Sequence, residues 1–203
     1  AGIATLNLLL ELGFSKDNIL LVDRNGVVST KSKNLSKEKL SFAADTDKKT
    51  LSDAIDGSDV FIGVARGNLV TQDMVKSMAK KPIIFALSNP DPEISPVDVY
   101  ACRDDVLMAT GRSDYPNQVN NVLGFPYIFR GALDANSKII NTEMKVAAVH
   151  ALKNLVKLPA PKELLEIYKD TSLTFGKDYF IPKPFDPRLI EVVPKAIFDA
   201  AVV

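Results

Sequence analysis

Tryptophan is absent from this 203-residue chain, and cysteine and histidine occur once each, as Cys102 and His150. A lone cysteine excludes an internal disulfide, and a reducing compartment is the simple expectation. Neither charge dominates: 25 Lys and Arg stand against 25 Asp and Glu, for a formal net charge of zero. That balance gives no overall electrostatic case for nucleic-acid or polyanion binding. No apolar run approaches the roughly 20 residues a membrane helix requires. No secretory signal pattern is visible, and the expected setting is cytoplasmic. What remains is 46% hydrophobic and 25% charged, an ordinary globular balance that can form a core without disulfide or metal staples.

The apolar residues come in two rhythms. Residues 3–12 read as a helix closed by Gly13, followed by a short apolar run, Asn18–Asp23, that reads as a buried parallel strand. Arg24-Asn25-Gly26 is a turn, and the lysine-rich stretch 31–49 is expected to be exposed, with a helix over 36–44. Thr50-Leu-Ser-Asp53 has capping-box spacing for a short helix ending at Gly57. Strands are expected over 59–64, 83–87 and 106–109, separated by helices that begin at the caps Thr71 and Ser95. Alternating strands and helices predict an α/β fold, a Rossmann-like doubly wound parallel sheet.

Past about residue 115 the pattern turns helical. Helices are expected over 126–135, 141–157, 161–169 and from Asp186-Pro187 onward, the last one kinked at Pro194. The expected organisation is a sheet core over 1–114 and a mainly helical extension over 115–203 packed on it. Cys102 reads as a structural thiol and His150 as a core or surface residue. Asp104-Asp105 reads as an exposed loop pair.

Open parallel sheets bind ligands at the carboxyl ends of their strands. A dinucleotide turn ends in a glycine that opens a helix, with an acidic residue about 20 positions later at the end of the next strand. Gly2 and Asp23 fit that spacing, Asp23 as acceptor from the ribose hydroxyls and Gly2 for close helix–strand packing. A helix-start glycine and a turn-capping aspartate would explain the same residues. The strand over 59–64 leaves through Gly63-Val64-Ala65-Arg66-Gly67, where a flat ligand can approach the backbone. The strand over 83–87 leaves through Ser88-Asn89-Pro90, where Asn89 either caps a turn or faces a ligand. Arg112, Asn120 and Asn121 lie in a dense polar stretch and are candidate carboxylate binders.

Four segments together resemble the short, prokaryotic-type malic enzymes: Ser88-Asn-Pro90, Ala109–Asn121, Gly124–Leu133 and Ile181–Leu189. The resemblance spans nearly the whole chain, and Phe61-Ile-Gly-Val64 with Gly67–Thr71 extends it. It implies oxidative decarboxylation of malate to pyruvate with NAD or NADP and Mn²⁺ or Mg²⁺, in a homodimer. By that resemblance Gly2, Asp23, Arg24, Val64 and Asn89 bind the cofactor, and Asn89 and Asn120 bind substrate. It also implies that the family's catalytic Tyr and Lys and its carboxylate metal ligands lie upstream of Ala1. No catalytic or metal-ligating residue is therefore assigned within 1–203, and the isolated chain is expected to be inactive. Tyr115 and Lys183 fall in family motifs but are not those catalytic groups. Asp23 favours NAD, whereas Arg24 beside it can pair with a 2′-phosphate. A malolactic enzyme, another Rossmann dehydrogenase and a nucleotide-binding module without catalysis remain alternative readings.

Overall fold

The computed structural model describes residues 1–201 and separates into two compact units, Ala1–Met108 and Ala109–Val203. In the first unit, α1 (Gly2–Glu11) ends where Gly13 takes a φ of +91°. That is a conformation glycine adopts without steric cost. The run after it departs from the expected parallel strand. Only Val22–Asp23 forms a strand, β1, and it pairs antiparallel with β2 (Gly26–Val27). The cause is local. The Asp23 side chain accepts the Asn25 N–H at 2.7 Å, and Gly26 has a φ of +104°. The chain therefore reverses on itself within two residues.

The lysine-rich stretch yields α2 (Lys37–Leu40), one turn capped by Ser36 and shorter than the expected 36–44. Next, α3 (Leu51–Ile55) opens on the full capping box of Thr50 and Asp53. Strand β3 (Val60–Gly63), helix α4 (Gln72–Ser77) with its Thr71 cap, and β4 (Ile83–Ala86) follow. Helix α5 (Pro96–Cys102) has the Ser95 cap and Pro96 in its first turn, and β5 (Leu107–Thr110) comes last.

The sheet runs in the order β3-β4-β5, with β3 and β4 parallel in the register Val60↔Ile83 to Gly63↔Ala86. Central position shows in burial. Ile84 and Ala86 on β4 are fully enclosed, whereas Val60 on the edge strand β3 is exposed. Ile55, Val75, Met78, Val99 and Val106 close the core around them. Arg103 locks the end of α4. Its guanidinium donates to the carbonyls of Val75, Met78 and Ala79 and grips Asp105 with two bonds. Asp105 is thus a structural partner of Arg103, not a solvated loop residue.

The second unit is helical, as its sequence implies: α6 (Tyr127–Asp134), α7 (Thr142–Leu155), α8 (Lys162–Tyr168) and α9 (Leu189–Ala201). Met144, Ala148, Ala151 and Leu155 bury one face of α7 at helical spacing against Leu189, Val193 and Ile197 of α9. Pro194 lies buried within α9. Gly131 lets α6 approach that helix: a Cβ there would lie 2.4 Å from the Pro194 carbonyl oxygen. Between α8 and α9 the chain has no long regular element, and Asn117 pins it. The Asn117 amide donates to the Lys177 carbonyl and accepts from the Phe180 N–H, both at 2.8 Å. None of the described helices is long and apolar enough to cross a membrane.

Candidate functional site

The first unit carries Val64 just past β3, Asn89 just past β4, Asp23 at the end of β1 and Gly2 at the start of α1. Ala1 caps α1 without a side-chain acceptor, and the first turn carries no acidic residue. The leading N–H groups of that helix therefore suit an anion. Val64 follows β3 and borders this end: a Cβ on Gly2 would meet Val64 Cγ2 at 3.7 Å. That is ordinary van der Waals contact, so a methyl at position 2 fits.

Asp23 ends β1, and the Lys39 ammonium on α2 bonds its Oδ2. This bond, together with the Asn25 N–H, holds the Asp23 carboxyl below its ordinary range against the opposing effect of burial. Arg24, next to it, is exposed and adds a further favourable charge. Nothing in the sequence singles out Lys39. It sits 16 positions from Asp23 in a lysine-rich stretch, and only the β1–β2 reversal followed by the Ser36-capped turn delivers it there.

Asn89 leaves β4 exposed, in a cis peptide bond with Pro90, and its side chain makes no hydrogen bond among the described residues. It does not cap a turn, so its amide stays available to a ligand. Beneath it lies Glu93, fully buried. Its Oε1 accepts the Ala65 N–H at 3.0 Å, beyond β3, and its Oε2 accepts the Ser88 N–H at 3.1 Å, beyond β4. Sequence reasoning passed over Glu93 as one of several acidic residues near the strand ends. Its buried neighbours Pro92 and Ile94 are the only local signal.

In the second unit, Asn120 is half-buried at the head of a single 3₁₀ turn, Asn121–Leu123, and its Oδ1 accepts the Val122 N–H at 3.0 Å. The Nδ2 group is left as the donor it can offer a carboxylate. Arg112 is differently committed. Its guanidinium makes two bonds to Asp114, at 2.8 and 2.7 Å, and lies over the Tyr115 ring. His150 is exposed on α7. Lys183 lies over the Tyr168 ring, and burial lowers its pKa. Among the described residues no group of three or more His, Cys, Asp or Glu side chains is placed to hold a metal ion.

The first unit thus offers a helix start without a side-chain cap, a carboxylate paired with an ammonium at the end of β1, and an exposed amide past β4, group types that dinucleotide sites use. Residues 10–170 match the family described as malic enzyme, NAD binding domain. The chain is 52% identical over its full length to an NADP-dependent malic enzyme of Halomonas elongata, spanning 48% of that protein. It is 45% identical to an NAD-dependent malic enzyme of Rhizobium meliloti, spanning 26% of it. The crystal structure of an NAD-dependent malic enzyme from Thermotoga maritima superposes with a TM-score of 0.81. That match has 35% identity and covers 98% of this chain and 48% of the other. The chain thus spans about half or a quarter of the length of these relatives.

Proposed function

The chain belongs to the family of malic enzyme NAD-binding domains, and from that premise we propose that it is the coenzyme half of an enzyme converting malate to pyruvate and carbon dioxide. The observation that carries this reading is that the whole chain aligns, at 52% identity, with 48% of the NADP-dependent malic enzyme of Halomonas elongata. When bound, NAD(P)⁺ supplies the hydride acceptor. The chain's own residues bind and orient. The start of α1 receives the pyrophosphate, Asp23 and Lys39 meet the adenosine ribose, and the Asn89 amide faces the nicotinamide side. Asn120 donates to a malate carboxylate through Nδ2. The described residues hold no carboxylate cluster for Mn²⁺ or Mg²⁺, so no step is assigned to a metal through them.

Coenzyme choice turns on Asp23. An uncompensated carboxylate repels a 2′-phosphate. Lys39 offsets that charge and places a cation at the same edge, with Arg24 beside it. We read this pair as favouring NADP⁺ over NAD⁺. The test is to titrate the full polypeptide with NADPH and NADH, following nicotinamide fluorescence, and to assay malate-dependent reduction of each oxidised coenzyme. Tighter NADPH binding with reduction of NADP⁺ is the expected result. Binding of neither coenzyme would overturn the reading.

A further inference from the structure

We propose that Glu93 is a positioning residue for the coenzyme, a buried clamp that fixes the exits of β3 and β4 relative to each other. The inference rests on the coenzyme-binding reading of Val64 and Asn89. Each oxygen of the carboxylate takes one backbone N–H, from Ala65 on one exit and Ser88 on the other. A single side chain therefore bridges the two segments that carry Val64 and Asn89. The surrounding backbone closes on the same point. The Val70 N–H donates to the Glu93 carbonyl and the Asn68 N–H to the Pro92 carbonyl, each at 3.0 Å, and the Leu87 N–H donates to the Gly63 carbonyl. The Ser88 hydroxyl donates to the Asp91 carbonyl at 2.5 Å.

Two glycines make the clamp possible. A Cβ on Gly63 would stand 2.3 Å from the Glu93 carboxyl carbon, and one on Gly67 would stand 2.7 Å from Asp91 Cβ. Neither glycine has a positive φ, so room for the clamp, not backbone freedom, requires them. No Lys or Arg pairs with Glu93 among the described residues. An acid retained in the core without a cation has a purpose there beyond charge pairing. Accepting two amides from parallel neighbours is a task that Gln cannot reproduce, because one end of its side chain is a donor.

The test uses the full polypeptide and three variants: Glu93→Gln, Gly63→Ala and, as a remote control, Arg103→Gln, which loosens the end of α4. Hydrogen exchange is followed by mass spectrometry on peptides covering 63–70 and 87–94, beside NADPH and NADH titrations. Glu93→Gln should speed exchange in both peptides together and weaken coenzyme binding about tenfold or more. Gly63→Ala, which pushes a methyl at the same carboxylate, should give the same paired signature and serves if Glu93→Gln does not fold. Arg103→Gln should lower the melting temperature without changing either coenzyme Kd. Faster exchange confined to 87–94, or an unchanged coenzyme Kd in a folded Glu93→Gln protein, would overturn the clamp. Because the exchange pattern is read without turnover, it stands whether or not malate proves to be the substrate.

Discussion

Lys39 on α2 and Asp23 at the end of β1 form an ion pair in which Lys39 is 35% and Asp23 17% exposed. The pair turns a carboxylate that would repel a 2′-phosphate into part of a mixed-charge edge. Lys39→Ala should therefore raise the NADP⁺ KM about 10–100-fold, the loss of a charge-assisted bond of roughly 1.5–3 kcal/mol. The NAD⁺ KM should change little. Steady-state kinetics with both coenzymes check it, and equal losses for the two would assign Lys39 a purely structural role.

Asn120 keeps its Nδ2 amide group as donor after its oxygen is spent on the Val122 N–H. Asn120→Ala should raise the malate KM or lower kcat on the order of 10–100-fold, with coenzyme binding preserved. Asn120→Asp should be worse than Ala, since it sets a carboxylate against a carboxylate. Activity at wild-type level in either variant would remove Asn120 from the substrate site.

Gly131 sits where α6 meets α9, and an added Cβ would come within 2.4 Å of the Pro194 oxygen and 2.6 Å of Ile197 Cβ. Gly131→Ala should destabilise by about 1–3 kcal/mol through overpacking. The midpoint should fall by roughly 2–4 °C for each kcal/mol. Thermal melts of the full polypeptide measure it.

The pair between Arg103 and Asp105 gives a pH signature. Its two bonds, with the Lys81 N–H donating to Asp105 as well, hold the Asp105 carboxyl far below the usual carboxylate range. A depressed folded-state pKa adds stability above the unfolded value, near 3.9, and loses it as pH falls through the folded value. Asp105→Asn should therefore lower the melting temperature at pH 7. The gap from wild type should close progressively below about pH 4. A constant gap down to pH 2 would contradict this assignment.

Much of this fold is written locally. Thr50, Thr71, Ser95 and Asn141 cap the helices they precede, and the spacing from Met144 to Leu155 marks the buried face of α7. The failures are equally specific. Asn18–Asp23 has the apolar content of a parallel strand, but the Asx turn at Asp23 and the positive φ at Gly26 pair its end with its own continuation. Arg112 has the chemistry of a carboxylate clamp, yet Asp114, two residues on, already occupies it. Lys39 acts on Asp23, 16 positions away, and Glu93 joins nearby Ser88 to Ala65, 28 positions away, so spacing rules carry little trace of either. Gly63 gains its meaning only once Glu93 is seen against it.

The most direct test of the account is a product analysis of the full polypeptide with malate, Mn²⁺ and NADP⁺. Pyruvate should form in step with NADPH, one for one. Lactate without net NADPH, or no turnover with either coenzyme, would contradict it.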